Sequence, residues 1–236
     1  MIPLHDDNPT ELTPYFTVGI IVLCVLVFLW QLSLGRAQQA AVYSLGAIPA
    51  VLLHHRQLPP ELALVPPVAT VFTSMFLHGG WLHLLGNMLY LWIFGNNVED
   101  AMGHGRFVVF YLLCGSAAVF AQALPDPQSV IPMIGASGAI SGVLGAYLLL
   151  YPHARVLVVI PIFFFPYMIQ LPAGWVLAFW FVMQLISALG APAGEGGVAF
   201  GAHVGGFVVG MALVPLFRRR GVRLLHPPRR PAPRRW

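Results

Sequence analysis

Apolar positions along this chain gather into long, nearly unbroken runs, not into alternating or once-per-turn stripes. A helix needs about 20 mostly apolar residues to cross a bilayer. Six stretches meet or approach that length: 15–34, 81–98, 106–124, 137–151, 173–190 and 198–217. The fourth is short and follows a polar, Pro-containing break at 124–132. It opens on Gly135-Ala136-Ser137-Gly138-Ala139-Ile140-Ser141-Gly142. Its first turn is expected below the membrane surface, in a protein-lined cavity where irregular backbone is tolerated. The pattern predicts an all-α polytopic membrane protein. It divides into a segment 1–14, a six-transmembrane-helix domain 15–217 and a tail 218–236.

Two connections are unusual. Residues 35–80 are too apolar for a free loop and too rich in Pro for a straight span, which places them in the outer membrane interface. Residues 156–171 are apolar enough for a seventh span, but Pro161, Pro166 and Pro172 interrupt them. Parity bears on the choice. Ser137 and His203 both stand at the start of their helices, so they share a membrane face only if an even number of crossings separates them. Stretches four and five supply two, and 156–171 is therefore expected at the cytoplasmic interface.

Composition agrees with the pattern. Hydrophobic residues make up 58% of the 236 and charged residues 8%, where soluble domains carry roughly a quarter charged; mean hydropathy is +0.79. All 12 basic residues are Arg, and eight of them follow Phe217. That cluster excludes a nucleic-acid footprint and marks a cytoplasmic end by the positive-inside rule. Six crossings would leave both termini there. The prolines among Arg218–Arg235 predict a disordered basic arm, either a topology signal or a binder of anionic lipid. Cys24 and Cys114 lie in apolar runs and read as small core residues. Asp6, Asp7 and Glu11 precede the first run without a basic residue, so no cleavable signal peptide is expected.

Four polar positions stand out in apolar sequence: His83, Asn87, Ser137 and His203. Such residues are costly in a membrane and are candidate functional sites. His83 and Asn87 are i and i+4 on one helix face. Small residues recur at Ser137/Ser141/Gly145 and Gly138/Gly142/Ala146, and again at Gly201/Gly205 and Ala202/Gly206/Gly210. Two such helices can approach closely, bringing Ser137 and His203 together; helix packing alone is the competing reading. The chemistry is acyl transfer. Neutral His203 accepts the Ser137 proton, and the Ser137 N–H, His83 ring and Asn87 amide stabilise the oxyanion. No acid is placed to orient the histidine, so a Ser–His dyad is expected. The Gly-rich run 191–197 suits a mobile cap over a water-filled cavity. No metal or other cofactor is expected; His54 and His55 form a lone pair without further ligands.

The motifs His83-Leu-Leu-Gly-Asn87, Gly135-Ala-Ser137-Gly138 and Ala202-His203-Val-Gly-Gly, with Val98-Glu99 to Gly103 and Arg106-Phe107, resemble the rhomboid family of intramembrane serine proteases over about 68–216. The resemblance implies a six-transmembrane-helix rhomboid-like bundle of bacterial type in the inner (cell) membrane. It implies a Ser137–His203 dyad, an oxyanion site at His83 and Asn87, and cleavage of transmembrane-anchored protein substrates near the outer face. It also implies a structural or water-retaining role for His78 and a structural one for Glu99. Many members carry Tyr four residues after the nucleophile, packed on the histidine; this chain has Ser141, so His203 would be oriented by small-residue packing and a hydroxyl. The Trp-Arg pair of the first outer loop is missing before Phe72-Thr73.

Two other function classes remain: a non-proteolytic clamp that binds or retains client transmembrane helices, and a small-solute transporter, against which the lack of an internal repeat counts. His104 and His153 read as solvated turn residues, and the run Phe163, Phe164, Phe165, Tyr167 as an interfacial anchor.

Overall fold

The computed structural model describes residues 1–162, 165–190 and 197–225. Strand β1 (Ile2–Asp6) leads into helix α1 (Tyr15–Ser33). Short helices α2 (Gln38–Leu45), α3 (Pro49–Leu52) and α4 (Pro67–Thr73) follow, then α5 (Trp81–Met102), α6 (His104–Ala123) and α7 (Ser137–Leu150). A hairpin of β2 (Arg155–Ile162) and β3 (Phe165–Pro172) precedes α8 (Ala173–Gly190) and α9 (Phe200–Phe217).

The six long helices fall on the six apolar stretches. Among the described residues, α1, α6, α8 and α9 are long and apolar enough to cross a membrane. A fifth candidate is the pair Pro67–Phe76 and Trp81–Met102, bent by 82°. Helix α7 has 14 residues, about 21 Å at the helical rise, short of the hydrocarbon thickness of about 30 Å. Length and apolarity thus support four or five spans, fewer than the six expected.

Residues 156–162 and 165–171 are not a span, but neither are they helical, and the all-α expectation is corrected here. They form a three-stranded antiparallel sheet with the N-terminus, in the order β1-β2-β3. The prolines exclude a regular helix, while Val156, Val158, Val159 and Ile160 suit a pleated surface. Val156 and Val158 point inward and are fully buried. β1 covers only Val156 to Val159, so Pro161, opposite Pro166, lies beyond the doubly paired part of the central strand. Phe165 and Tyr167 are exposed on β3; Phe163 and Phe164 lie outside the described residues.

The sheet gathers chain ends. Tyr147 Oη donates to Asp6 Oδ2, and the Glu11 N–H donates to Asp100 at 3.0 Å. Arg219 pairs with the other Asp100 oxygen at 2.9 Å, its N–H donates to the Ala101 carbonyl, and the Leu225 N–H donates to the Leu149 carbonyl. The N-terminal segment and residues 219–225 therefore meet the α5–α6 turn and the C-terminal end of α7 at one end of the molecule. Arg219 and Leu225 are hydrogen bonded there; the rest of the expected basic arm, with Arg229, Arg230, Arg234 and Arg235, lies outside the described residues.

Glu99 ties that end down. Its carboxylate accepts from the Phe16 and Thr17 N–H groups and from Thr17 Oγ1 at 3.1, 2.8 and 2.7 Å, capping α1 where its first donors have no helical partner. His104 Nδ1 lies 2.6 Å from the same carboxylate and its ring packs near Tyr15 and Phe16. His104 is therefore a half-buried tie, not the solvated residue its turn position suggested.

The centre of the bundle is α7, flanked by α6 and α9. A methyl at Gly206 would fall 2.1 Å from the Gly138 carbonyl oxygen, and one at Gly145 would fall 2.2 Å from that of Phe207. The other small strips face α6: methyls at Gly138, Gly142 and Gly205 would meet Ala118, Cys114 and Ala121. Small residues thus let α7 meet the α9 backbone directly and the short side chains of α6 closely.

Candidate active site

Ser137 is the first residue of α7. The turn before it needs Gly135, whose φ of +122° is costly for a side-chain-bearing residue. The Gly135 N–H donates to the Ser74 carbonyl at 2.9 Å, tying that turn to the short helical stack before α5. His203, near the start of α9, is buried. Its Nε2 lies 2.8 Å from Ser137 Oγ. The two residues are 66 positions apart; the chain runs away along α7 and back along α8, and the α7–α9 backbone contact brings them together.

The other nitrogen of His203 is occupied as well. Nδ1 lies 2.7 Å from Gln184 Oε1 on α8. With the amide oxygen as acceptor, this arrangement suits an imidazole that carries its hydrogen on Nδ1 and accepts from the Ser137 hydroxyl on Nε2. The Trp180 ring lies 5.9 Å from the imidazole at 33°, and Phe200 meets it nearly at right angles at 6.2 Å. Ser141 takes no part: its Oγ donates to the Ser137 carbonyl at 2.6 Å, back into its own helix. The expectation that a hydroxyl there helps orient His203 is corrected; α8 supplies that environment.

His83 accepts the Gly79 N–H on Nδ1 at 3.3 Å, which leaves Nε2–H as a donor. That ring covers Gly135: a methyl there would fall 2.7 Å from His83 Nε2 and 3.6 Å from Ser137 Oγ. Asn87, one turn along α5, is buried, and its amide nitrogen has no partner among the described residues. It forms no hydrogen bond with Ser137 or His203. His78 stacks edge-on against His83 at 5.1 Å, and its backbone exchanges two hydrogen bonds with the Gln31 side chain of α1, at 3.0 and 3.3 Å. A small cavity of about 30 Å³ lies beside Ser137, lined among others by Met75, Gly115, Ala118 and Ala202.

Gln184, Trp180 and Gln31 escaped the reading of the sequence. Gln184 carried a signal: it is an amide in the middle of an otherwise apolar span, where polar groups are costly, one turn after Trp180. The proposed cap falls mainly on 191–196, outside the described residues. Among the described residues no group of three or more His, Cys, Asp or Glu side chains could hold a metal ion.

Comparison with known proteins gives a consistent picture. Residues 67–220 match the family model described as the Rhomboid domain. The chain is 34% identical over 146 residues to Rhomboid protein 1, mitochondrial, of Saccharomyces cerevisiae, covering 60% of this chain and 40% of that one. It is 34% identical over 136 residues to Rhomboid protease GluP of Bacillus subtilis, covering 57% and 24%. It is 29% identical over 136 residues to the Presenilin-associated rhomboid-like protein, mitochondrial, of Mus musculus, covering 55% and 35%. The chain spans less than half the length of each of these relatives. The family includes intramembrane serine proteases. With the domain match covering well over half of the residues and including His83, Asn87, Ser137 and His203, the chain is an integral membrane protein that belongs to the rhomboid family.

Proposed function

We propose that this chain is an intramembrane serine endopeptidase that cleaves transmembrane-anchored proteins near the outer face of the membrane. The observation that carries the reading is the 2.8 Å contact between Ser137 Oγ and His203 Nε2, within the span expected of a nucleophile and its general base.

Ser137 Oγ attacks the scissile carbonyl while His203 Nε2 takes its proton. The oxyanion then meets the unpaired N–H of Ser137 at the start of α7, the Nε2–H of His83 and the free amide of Asn87. His203 returns its proton to the leaving amine. Water, deprotonated by the same nitrogen, then hydrolyses the acyl-enzyme and regenerates Ser137. A carbonyl already bonded within a stable helix resists attack, so helix-weakening residues should mark the substrate.

The remaining features follow from this reading. The membrane domain holds six embedded helices, with α7 reaching the outer face only at the level of Ser137. The end that gathers the N-terminal segment and residues 219–225 is cytoplasmic, in keeping with Arg218, Arg219, Arg220 and Arg223. The bacterial inner membrane is the proposed location, although two of the relatives compared are mitochondrial.

Ser137→Ala tests the proposal. Reconstituted with a single-span reporter, the variant should lose cleavage, and labelling by a serine-directed phosphonate, while melting as the wild type does. Retained cleavage overturns it. Binding of the reporter without cleavage by the wild-type protein would instead favour the clamp.

A further inference from the structure

We infer that Gln184 is a positioning residue for His203, so that this protein works with a Ser137–His203–Gln184 relay in which the third member is an uncharged amide. The inference rests on the protease reading of the site and adds to it the group that holds the histidine.

An unassisted imidazole exchanges its hydrogen between two nitrogens, and only the Nδ1–H form leaves Nε2 free to accept from a serine. A carboxylate can fix that form, but among the described residues no acid stands against the ring. Asp6, Asp7, Glu11, Glu99 and Asp100 lie at the opposite end, where they bind the Arg155 N–H, α1 and Arg219. Glu61 and Asp126 lie in the connections. A charge among apolar helices would in any case be costly. A glutamine supplies the same acceptor lone pair without that cost.

The geometry fits. The contact from Gln184 Oε1 to His203 Nδ1 is 2.7 Å, as short as the bond on the serine side of the ring. Two acceptor–donor contacts on opposite nitrogens fix both the tautomer and the ring plane. Trp180 precedes Gln184 by one turn on the same face of α8 and lies across the imidazole. One face of α8 therefore provides both the stacking surface and the acceptor, in a chain whose residue after the first turn of α7, Ser141, is turned away.

The test uses the full chain in detergent and in proteoliposomes, with Gln184→Met, which keeps the shape and loses the acceptor, and Gln184→Glu, which keeps an acceptor oxygen. Gln184→Met should lower kcat for a single-span reporter roughly 10- to 100-fold, the value of one well-placed hydrogen bond to a reacting group. KM should stay within about twofold, and phosphonate labelling of Ser137 should slow in parallel. Gln184→Glu should recover most of that loss. Nitrogen-15 NMR of histidine-labelled protein, with the His203 signals assigned by their loss in His203→Asn, should show the Nδ1–H tautomer in the wild type and a mixture in Gln184→Met.

A Gln184→Met enzyme within twofold of wild-type kcat overturns the inference. So does a wild-type His203 carrying its hydrogen on Nε2, or a folded Gln184→Glu as impaired as Gln184→Met. If the wild type neither cleaves nor labels, the protease reading falls, and the tautomer measurement still decides the role of Gln184.

Discussion

A methyl group on Gly210 would stand 2.0 Å from the carbonyl oxygen of Gly142, so α7 and α9 cross with backbone against backbone. The same approach, one turn higher, sets Gly206 against Gly138; Ser137 stands one residue before Gly138 and His203 three residues before Gly206. The 2.8 Å contact between them is thus a consequence of helix spacing. Gly206→Ala should push the helices apart by about 1 Å. It should cost roughly 1–3 kcal/mol of stability as an overpacked core does, and lower cleavage by about 100-fold or more, since a displacement of that size removes the contact. Melting temperature and reporter cleavage, measured on the same preparation, check it; an active, unshifted variant would refute the close crossing.

Gly135 is required for two reasons. Its φ is +122°, and a side chain there would strike the His83 ring. Gly135→Ala should therefore displace His83 from the turn before Ser137 and reduce kcat far more than it lowers melting temperature. Comparison with His83→Ala is the check: the double variant should be little worse than either single one, because both remove the same donor.

Ser141 and Trp180 make opposite predictions. Ser141 Oγ is bonded into its own helix, whereas Trp180 covers the imidazole. Ser141→Ala should leave turnover within about twofold, while Trp180→Ala should lower it by roughly tenfold or more through a looser histidine. Equal effects would mean that the ring is held from α7 after all.

Asp6 gives the sheet a pH dependence. Burial pushes its carboxyl up from 3.8 to about 6, against the opposing hydrogen bond from Tyr147. The folded form therefore keeps a proton that the unfolded form has released between those values. Stability from this group is fully present below about pH 4 and is lost as pH rises to about 6, by up to roughly 3 kcal/mol. Unfolding between pH 4 and 7 should show that fall, and Asp6→Asn should flatten it.

Much of this could be read from the order of residues. Runs of apolar residues located all six long helices, because in lipid the backbone must satisfy itself and only length and polarity decide. The glycine strips announced close crossings, and the rarity of polar groups among those runs singled out His83, Asn87, Ser137 and His203. Gln184 shared that rarity, yet an isolated amide names no partner until the neighbouring helix is placed.

What the chain alone determined is where the apolar helices lie and which side chains are out of place in them, since both depend on local hydropathy. The folded arrangement decided the rest. It divided the small strips between α6 and α9, turned 155–162 and 165–172 into a hairpin whose first strand pairs with the N-terminal strand, drew residues 218–225 onto the bundle, and set the Gln184 amide on the far nitrogen of His203. Each of these depends on contacts between residues far apart in sequence, and such contacts are selected by packing and by the pairing of buried polar groups, which no local pattern encodes.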